Sequence, residues 1–508
     1  MEVQYYDSAI ECMPLAELVS YSERRLVQTH AVERASCSIL YQERWAAAGI
    51  VPATICSYAD LRRIPLTTGS NIRQALERFD PQQLVCSESV RLWASTSGTT
   101  GMPKWIPRAD EDLAFSREMI GRFAYMGTGG PKELPVGVLG GGATLGFNAP
   151  APAVSDALPA TSALDGMLLQ LPGETIPINY IEAEDALLFA LRRKPQYFVA
   201  FPSIAMRVAE VLGIQAPAAA RRDLAERFTL TRLLAYLVTR VKKIRPRDLL
   251  PFQWGVFSGE PLEPYRQAIR QAYGFEPSDA YASTEFLGMM RDCFRHEGIH
   301  LWLDCCLAEL LPEEEIERAE ANPDTLPHTI PLWQADPGQR GDLVVTNFAQ
   351  AFPLVRYRTS DLIQVVGTQR CACGRTHPRI RVLHRSDDMV NVGIARFSIV
   401  DLQHQLEAMP SLQRWQLRVG RAGYKPRMVL QVEVSPHPAE EAIWKKQVLE
   451  RLLSVGDLRV AYDNQLILEP IIEIVVALAE QRTYSGKLRR VFYEEEARSQ
   501  GGNDAAPK

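Results

Sequence analysis

The residues between Ser97 and Lys104 concentrate three hydroxyl side chains, two glycines and a lysine in eight positions. Glycine permits backbone conformations that are closed to other residues and lets the main chain approach a ligand closely. Hydroxyl and backbone N–H groups can donate to phosphate oxygens, and a lysine adds positive charge. The segment differs from the Gly-x4-Gly-Lys-Ser/Thr phosphate loop, because its lysine follows Gly-x-Pro and no hydroxyl residue comes next. It predicts a phosphate-binding loop, and the alternative is a flexible surface turn.

Length and composition limit the classes of protein to which the chain can belong. With 508 residues it is too long for one hydrophobic core, so two or more domains are expected. The net charge of −5 gives no electrostatic reason to expect a nucleic-acid or membrane partner, and no signal peptide is expected. Nine cysteines, an odd number spread over a long chain, favour reduced thiols or a metal site over disulfides. The default location is therefore cytoplasmic.

Strand-like and helical patterns alternate through most of the chain, which predicts a doubly wound α/β sheet. Apolar strand patterns occur at residues 134–139, 197–200 and 254–257. Polar segments follow at 258–262 and 279–285, each at the end of a strand pattern. Two such strand ends in one open sheet can share the edge at which ligands bind.

The regions outside this alternation have helical or mixed patterns. Residues 15–45 predict two helices, and a further helix is expected to start with Ser70 or Asn71 as its cap, but little in this N-terminal region suggests chemistry. Residues 215–250 predict inserted helices that end in a basic cluster, which we interpret as a solvated helix end. Beyond residue 385 the pattern changes to a small α+β unit.

Six motifs, in this order, resemble those of the adenylate-forming superfamily, which includes acyl- and aryl-coenzyme A ligases, adenylation domains of peptide synthetases, and luciferases. They are Ser97–Lys104, Ser258–Leu262, Tyr281–Glu285, Tyr357–Asp361, Arg385–Asp388 and Gly486–Lys487. The resemblance spans most of the chain. It implies a large N-terminal α/β domain of mixed sheets and flanking helices, residues 1–385, and a small mobile α+β domain, residues 386–508.

The resemblance gives each motif a role in activating a carboxylate with ATP, a reaction that needs positioning and charge neutralisation at the α-phosphate. The implied nucleotide-binding residues are Ser97, Gly98, Thr99, Thr100, Gly101, Lys104, Ser258, Gly259, Glu260, Pro261, Tyr281, Ala282, Ser283, Asp361 and Arg385. Thr284 would contact the α-phosphate, Glu285 would hold Mg²⁺, and Lys487 would stabilise charge that develops in the transition state. Standing alone, Glu285 or Asp361 would more simply be a helix cap or part of a surface ion pair.

The segment Arg385-Ser-Asp-Asp388 lies where the sequence pattern changes. By the resemblance, Asp387 is the hinge about which the small domain rotates between an adenylating and a thioester-forming arrangement. An ordinary solvated linker is the alternative. The chain departs from the superfamily pattern at His384 and Ser360, which stand where glycine is usual.

A second resemblance, to phenylacetate–coenzyme A ligases, is carried by Cys371-Ala-Cys-Gly-Arg-Thr-His377 and by a cysteine and a Gly-x-His that follow the Thr-Glu motif. Three thiolates and one imidazole make a closed tetrahedral set for structural zinc. The implied ligands are Cys293, His300, Cys371 and Cys373. Unliganded thiols are the alternative, and other candidates nearby are His296, Cys305, Cys306 and His377. Such a metal would tie the Thr-Glu loop to the segment before the hinge.

We therefore expect an ATP- and Mg²⁺-dependent acid–thiol ligase that forms an acyl- or aryl-adenylate and then a thioester with coenzyme A. The branch it resembles favours an aromatic acid. The acid pocket is expected around Phe201, Pro202, Gly141, Gly142 and Phe286. The alternatives are an adenylating enzyme that passes its acid to a carrier protein or an amine, and a non-catalytic protein that retains the fold. Homodimerisation is left open, and neither nucleic acid nor a membrane is expected as a partner.

Overall fold

A computed structural model of the chain describes most residues between Tyr5 and Glu494. The described residues are 5–86, 90–95, 104–128, 144–148, 160–162, 175–179, 195, 197–226, 228–242, 244–250, 252–259, 261–285, 289–321, 326–385, 389–407, 409–478 and 490–494. The α-helices are Ser8–Glu11, Leu15–Gln28, Ala31–Ala35, Ile39–Ala47, Tyr58–Leu61, Gly69–Arg78, Asp110–Thr128, Pro202–Glu226, Leu230–Val241, Pro246–Leu249, Glu263–Tyr273, Glu313–Ala321, Ile399–Glu407, Glu441–Leu453 and Leu458–Asp463. The strands are β1 (Thr67–Thr68), β2 (Leu92–Ser95), β3 (Trp105–Arg108), β4 (Thr144–Asn148), β5 (Ala160–Ser162), β6 (Thr175–Asn179), β7 (Tyr197–Ala200), β8 (Trp254–Phe257), β9 (Ser278–Tyr281), β10 (Met290–Asp292), β11 (Ile299–His300), β12 (Cys306–Pro312), β13 (Ile330–Pro331), β14 (Arg340–Asn347), β15 (Tyr357–Gly367), β16 (Arg379–Arg385), β17 (Met389–Val392), β18 (Ala395–Ser398), β19 (Leu412–Ala422), β20 (Lys425–Val434), β21 (Ile471–Ile474) and β22 (Val491–Tyr493).

The largest sheet runs in the order β13-β12-β14-β15-β16-β11-β10-β9-β8-β7-β4-β6, with β1 paired to β15. The strands from β9 to β6 are parallel, and the two strand patterns at 197–200 and 254–257 form β7 and β8 within this part. All four residues of β7 are buried, as expected for a parallel strand that is covered on both faces. The predicted α/β alternation is confirmed in this part of the sheet. The strand predicted at 134–139 lies outside the described residues.

Three parallel strands place their following residues at one edge of the sheet. Phe201 follows β7, Ser258 follows β8, and the segment from Ala282 to Glu285 follows β9. Because β7, β8 and β9 are neighbours and point in the same direction, their carboxyl ends meet at this edge. Ligands in open α/β sheets bind outside the carboxyl ends of the strands. The sheet therefore gathers segments that are far apart in the sequence.

The N-terminal region contains more helices than the pattern predicts. Three helices rather than two cover the region, because the chain breaks at Thr29 and His30. His30 takes a φ of +49°, a left-handed conformation that no continuous helix adopts. These helices pack their apolar faces on the antiparallel part of the large sheet, and Leu18, Leu26 and Trp45 are buried in that core.

The inserted helices predicted within 215–250 are confirmed. The helix Pro202–Glu226 continues into this region and is followed by Leu230–Val241 and the short helix Pro246–Leu249. Over the described ranges, no helix has both the length and the apolar character needed to cross a membrane.

The C-terminal residues form separate small sheets. Strands β19 to β22 make a four-stranded sheet in the order β21-β20-β19-β22, and β17 pairs with β18. Along the chain, the helix Ile399–Glu407 is followed by β19 and β20, and then by the helix Glu441–Leu453 and β21. This unit packs on the helix Pro202–Glu226: Tyr424 and Lys425 both donate to the Glu210 carboxylate, and the lysine does so at 3.0 Å.

A fully buried arginine joins the antiparallel strands to the N-terminal region. Arg356 donates from Nε and Nη2 to the two carboxylate oxygens of Glu309 in β12, at 3.1 and 2.9 Å. Its Nη1 group donates to the backbone carbonyls of Arg62 and Ile64 at 2.9 and 2.7 Å. A buried charge is tolerated only when it is paired and hydrogen-bonded in this way.

We predict that Arg356→Met strongly destabilises the protein, because it leaves the Glu309 carboxylate buried without a counter-charge. The expected loss in the free energy of unfolding is about 3–5 kcal/mol, measured by urea denaturation. Arg318→Met is the control, since Arg318 pairs with Glu315 on the surface and such pairs contribute about 0–1 kcal/mol. Equal losses in the two variants would contradict this account.

Candidate functional site

A buried charged cluster lies where three distant parts of the chain meet. Lys104, directly before β3, forms an ion pair with Glu285, four residues after β9. Tyr357 in β15 accepts a hydrogen bond from the lysine ammonium at 3.1 Å and donates to Oε1 of Glu285 at 3.0 Å. Lys104 and Glu285 are only 8% and 7% exposed, so water screens their attraction weakly. The structure therefore brings together two residues from separate motifs and adds Tyr357, which opens a third motif and had no predicted role.

The Thr284–Glu285 segment is held by polar side chains from two further strands. Arg108 in β3 donates to the carbonyl of Thr284 at 2.7 Å, and Asn347 at the end of β14 donates to the carbonyl of Glu285 at 3.3 Å. The Ser283 hydroxyl donates to the Glu285 carboxylate. Burial lowers the pKa of the Arg108 guanidinium. The sequence patterns do not single out Arg108 or Asn347, because the one signal for each is that a polar residue ends a strand.

The first turn of the helix Gly69–Arg78 lies against the same charged cluster. A Cβ atom on Gly69 would lie 3.3 Å from Lys104 Nζ and 3.5 Å from the Tyr357 hydroxyl, so glycine leaves room for both groups. Thr68 is the N-cap, and Asn71 completes a capping box with it, which corrects the predicted cap at Ser70 or Asn71. The sequence of the N-terminal region suggested little chemistry, yet the start of this helix forms one side of the site.

A second group of predicted nucleotide-binding residues meets on β15. The Tyr281 hydroxyl donates to Oδ2 of Asp361 at 2.6 Å. Asp361 pairs across the sheet with Arg385 at the end of β16. The backbone of Arg385 is therefore adjacent to Asp361, and its side chain lies outside the described atoms.

The backbone angle at Ser360 is one that favours glycine, the residue expected at this position. Its φ is +59°, in the left-handed region that costs a residue with a Cβ about 1–2 kcal/mol. Ser360 adopts this left-handed conformation although it has a Cβ atom. The backbone of β15 before Asp361 is therefore strained at this residue. The second departure, His384, lies in β16 opposite Leu362.

The turn after β8 packs directly on the first residue of a predicted acid pocket. Gly259 has a φ of +86°, and a Cβ on it would lie 2.1 Å from the Phe201 ring, so only glycine fits. The backbone N–H of Ser258 donates to the carbonyl of Ala200 at 3.2 Å, which holds the turn against the end of β7. Pro202 is buried at the start of its helix, whereas Pro261 and Ala282 are exposed at the sheet edge.

Several predicted site residues cannot be placed. Those outside the described residues are Ser97, Gly98, Thr99, Thr100, Gly101, Gly141, Gly142, Glu260, Phe286, Asp387 and Lys487. Their roles stay predictions.

A buried cluster of four side chains matches the predicted metal ligands. The ligand atoms of Cys293, His300, Cys371 and Cys373 all lie within 4.8 Å of one another. The Cys293 and Cys371 sulfurs are 3.9 Å apart, and Cys373 Sγ is 3.6 Å from His300 Nε2. Tetrahedral zinc with Zn–S of about 2.3 Å and Zn–N of about 2.0 Å places two sulfurs about 3.8 Å apart, and sulfur and nitrogen about 3.5 Å apart. The donor set and its spacing therefore fit zinc, and the sulfur separation is far too long for a disulfide of about 2.05 Å.

Hydrogen bonds within the cluster favour the thiolate that a metal requires. The Cys293 thiol lowers the pKa of Cys373 well below its usual range, because it donates a hydrogen bond that stabilises the thiolate. The backbone N–H of Cys373 donates to the sulfur of Cys371 at 3.4 Å, within a tight loop in which Gly374 has a φ of +91°. Thiolates are the form of cysteine that binds zinc.

The other candidate ligands have different partners. His296 Nδ1 lies 2.6 Å from Asp292, and Cys305 packs on the sulfur of Met119. Cys306 donates to the Trp302 carbonyl at 3.8 Å. His377 accepts at Nδ1 from the backbone N–H of Leu303, and burial lowers its pKa well below the usual value, so it is neutral. Among the described residues, the four-residue set is thus the one group that could hold a metal.

Residues 5–13 pack against the loop between β15 and β16, which contains Cys371 and Cys373. The Tyr5 hydroxyl donates to the carbonyl of Cys373 at 2.9 Å, and Arg375 forms a buried ion pair with Glu11 at 2.6 Å. The Thr376 hydroxyl donates to the carbonyl of Met13 at 2.5 Å. The loop between β15 and β16 is therefore fixed from both sides, by the four-residue cluster and by residues 5–13.

Comparisons with known proteins agree with this architecture. The chain is 26% identical over 441 residues to a phenylacetate–coenzyme A ligase of Escherichia coli (strain K12), covering 84% of each protein. It is 24% identical over 430 residues to the Pseudomonas putida phenylacetate–coenzyme A ligase, covering 80% of this chain and 82% of the relative. No family model matches the chain.

Solved structures show the same fold. A 2-hydroxyisobutyryl-CoA ligase in complex with 2-HIB-AMP and CoA superposes with a TM-score of 0.67 at 20% identity, covering 99% of this chain and 95% of that one. An acyl acid amido synthetase superposes with a TM-score of 0.53 at 15% identity, covering 96% and 95%. The predicted resemblance to phenylacetate–coenzyme A ligases and the predicted α/β fold class are confirmed.

We predict one tightly bound zinc ion per chain, measured by elemental analysis of protein purified without chelators. The Cys371→Ser, Cys373→Ser double variant should lose the metal and melt at a lower temperature, because two of the four ligands are removed. The single variant Cys37→Ser changes an exposed cysteine and should keep both properties. Wild-type protein without a stoichiometric metal would reject the zinc assignment.

We predict that Ser360→Val is less stable than Ser360→Gly by at least ~1 kcal/mol. Glycine adopts a φ of +59° without strain, whereas a β-branched residue clashes with its own backbone there. Urea denaturation of the two variants measures the difference. Equal stability would mean that β15 relaxes out of the left-handed conformation when the side chain changes.

Proposed function

We propose that the protein is an ATP- and Mg²⁺-dependent acid–coenzyme A ligase. The observation that carries the proposal is the convergence of Lys104, Glu285 and Tyr357 beside the carboxyl edge of the sheet. The similarity to phenylacetate–coenzyme A ligases over about four-fifths of both proteins supports the choice of reaction. A carboxylate oxygen would attack the α-phosphorus of ATP, the bond to pyrophosphate would break, and an acyl-adenylate would form. The coenzyme A sulfur would then attack the acyl carbon, lose its proton and expel AMP.

In this proposal, the ion pair between Lys104 and Glu285 gives way to the ligands. Mg²⁺ would bind the Glu285 carboxylate, and ATP would bind the Lys104 ammonium group. A carboxylate oxygen is the ligand that Mg²⁺ prefers, and the metal would supply charge neutralisation on the phosphates. An ammonium group is a point charge suited to phosphate oxygens. Tyr357 contacts both groups, so its hydroxyl would hold each near its place as the ligand enters. Arg108 and Asn347, which hold the backbone of residues 284 and 285, would act as positioning residues.

Asp361 is proposed to accept hydrogen bonds from the ribose hydroxyls. Tyr281 donates to one carboxylate oxygen of Asp361 and so fixes the orientation of this side chain. The adenine would lie against the turn at Ser258 and Gly259, which packs on Phe201. Because that turn and Phe201 are in contact, the nucleotide and the acid would bind side by side at the ends of β7 and β8.

The remaining roles extend the same proposal to residues implied by the resemblance. Lys487 would stabilise the charge that develops during adenylation, and Asp387 would be the hinge between residues 1–385 and 386–508. The acid is proposed to be aromatic, as in the phenylacetate–coenzyme A ligases to which the chain is similar. The zinc ion would have a structural role, since four protein ligands leave no open position for chemistry.

We predict acid-dependent exchange of labelled pyrophosphate into ATP when a panel of aromatic carboxylic acids is assayed, and thioester formation when coenzyme A is added. Exchange should require Mg²⁺. Lys487→Ala should lower the exchange rate by about 100-fold or more, because it removes a charge that acts in the transition state. The matched control is Lys446→Ala, an exposed lysine in the helix Glu441–Leu453, which should exchange at the wild-type rate.

The same assay separates the alternatives. Exchange with product transferred to a carrier protein or an amine, and none to coenzyme A, would reject coenzyme A as the acceptor. Absence of exchange with every acid of the panel, in protein that is folded and binds zinc, would reject the proposal that the protein is an enzyme. A wild-type rate in Lys487→Ala would reject the role of that lysine.

A further inference from the structure

The segment from Arg221 to Arg247 has a charge opposite to that of the whole chain. It contains nine basic and two acidic residues, a net charge of +7, whereas the full chain carries −5. Lysine and arginine thus cluster in one inserted helical region that plays no part in the proposed reaction. The expectation of no membrane partner used the whole-chain charge, which conceals this local excess.

The helix Leu230–Val241 within this segment turns its apolar side to solvent. Its exposed apolar residues are Leu230, Leu234, Leu237, Val238 and Val241. This spacing of four, three, one and three residues places all five on one stripe about 100° wide. Leu230 is 70% and Val241 is 90% exposed, and Phe228 just before the helix is 72% exposed.

The opposite side of this helix faces the protein. Tyr236 and Thr239 lie on that side and are partly buried, while the helix packs on Pro202–Glu226. A surface helix of a globular protein usually does the reverse and buries its apolar stripe. Exposed apolar patches of this kind mark a surface that contacts a partner.

Basic residues flank the stripe at both ends. Arg221 and Arg222 are exposed before it, and Arg240 and Lys242 are exposed at its end. A narrow apolar stripe bordered by lysine and arginine is typical of helices that lie in the interface of an anionic membrane. The helix of 12 residues is about 18 Å long, too short to cross a hydrocarbon core of about 30 Å, so it would lie along the surface.

We propose that residues 221–247 dock on an anionic membrane surface, with the stripe of Leu230–Val241 inserted among the lipid headgroups. The charge argues against a second copy as the occupant, because pairing two stripes would bring two segments of +7 together. The five apolar side chains are exposed on a surface helix, so a lipid surface can reach them. The proposal does not depend on the proposed reaction.

The test is co-sedimentation of the full-length protein with vesicles of phosphatidylglycerol and phosphatidylcholine, compared with vesicles of phosphatidylcholine alone. We expect binding to the anionic vesicles that weakens with added salt, and binding to the neutral vesicles that is at least about tenfold weaker. Leu234→Ser with Leu237→Ser should abolish binding, and Arg240→Glu with Lys242→Glu should lower it by about tenfold or more.

Matched double variants control for the number of apolar and charged groups. Val51→Ser with Ile443→Ser removes two other exposed apolar side chains, and Lys445→Glu with Lys446→Glu makes the same charge change elsewhere. Both should bind as the wild type does. Equal binding to neutral and anionic vesicles, no binding to either, or equal losses in the control variants would overturn the proposal. So would a dimer in analytical ultracentrifugation that Leu234→Ser with Leu237→Ser dissociates, since a second copy would then cover the stripe.

Discussion

The buried pair between Lys104 and Glu285 is the contact on which the rest of the site depends. Lys104 lies directly before β3 and Glu285 lies four residues after β9, and Tyr357 connects both residues to β15. Two opposite charges in a buried place stabilise each other, but each would be costly alone. The pair therefore keeps a cation and a carboxylate together at one edge of the sheet, where the proposed nucleotide and its metal would need both. Arg108 and Asn347 extend this arrangement by holding the backbone that carries Glu285.

The four-residue cysteine–histidine cluster lies further along the same segment, which continues from Glu285 to His300. Cys293 directly follows β10 and His300 lies in β11, whereas Cys371 and Cys373 come from the loop between β15 and β16. The cluster links the chain that follows Glu285 to the loop that leads into β16, which ends next to Asp361. A metal there would make the relative positions of the two proposed nucleotide contacts, Glu285 and Asp361, insensitive to local opening of either loop.

The net charge of the whole chain and the net charge of residues 221–247 have opposite signs. The overall value of −5 excludes a general attraction to polyanions, yet residues 221–247 carry +7 beside an exposed apolar stripe. Most side chains described in this segment are exposed or partly exposed, and Ile244 anchors its end in the core. A surface of this kind can be altered without touching Lys104, Glu285 or the four-residue cluster, so the proposed docking and the proposed reaction can be tested separately by mutation.

The sequence by itself determined the elements whose signal is local. The apolar runs at 197–200 and 254–257 became β7 and β8, because a strand buried on both faces needs continuous apolar residues. The order of the motifs identified the fold, and the cysteine spacing, read through the resemblance, identified the four residues that cluster. Local patterns were less reliable where one backbone angle mattered, as at His30, which splits a predicted helix.

Only the tertiary structure decided which polar groups share a site. Tyr357 is 253 residues from Lys104 along the chain, and Arg108 is 176 from Thr284, so no local pattern could pair them. The same holds for Gly69, whose missing side chain matters only because a lysine and a tyrosine from elsewhere occupy that space. Hydrophobic periodicity indicates which face of a helix or strand is buried. Which residues meet at the edge of the sheet depends instead on the order of the strands. That order is set only when the whole chain packs.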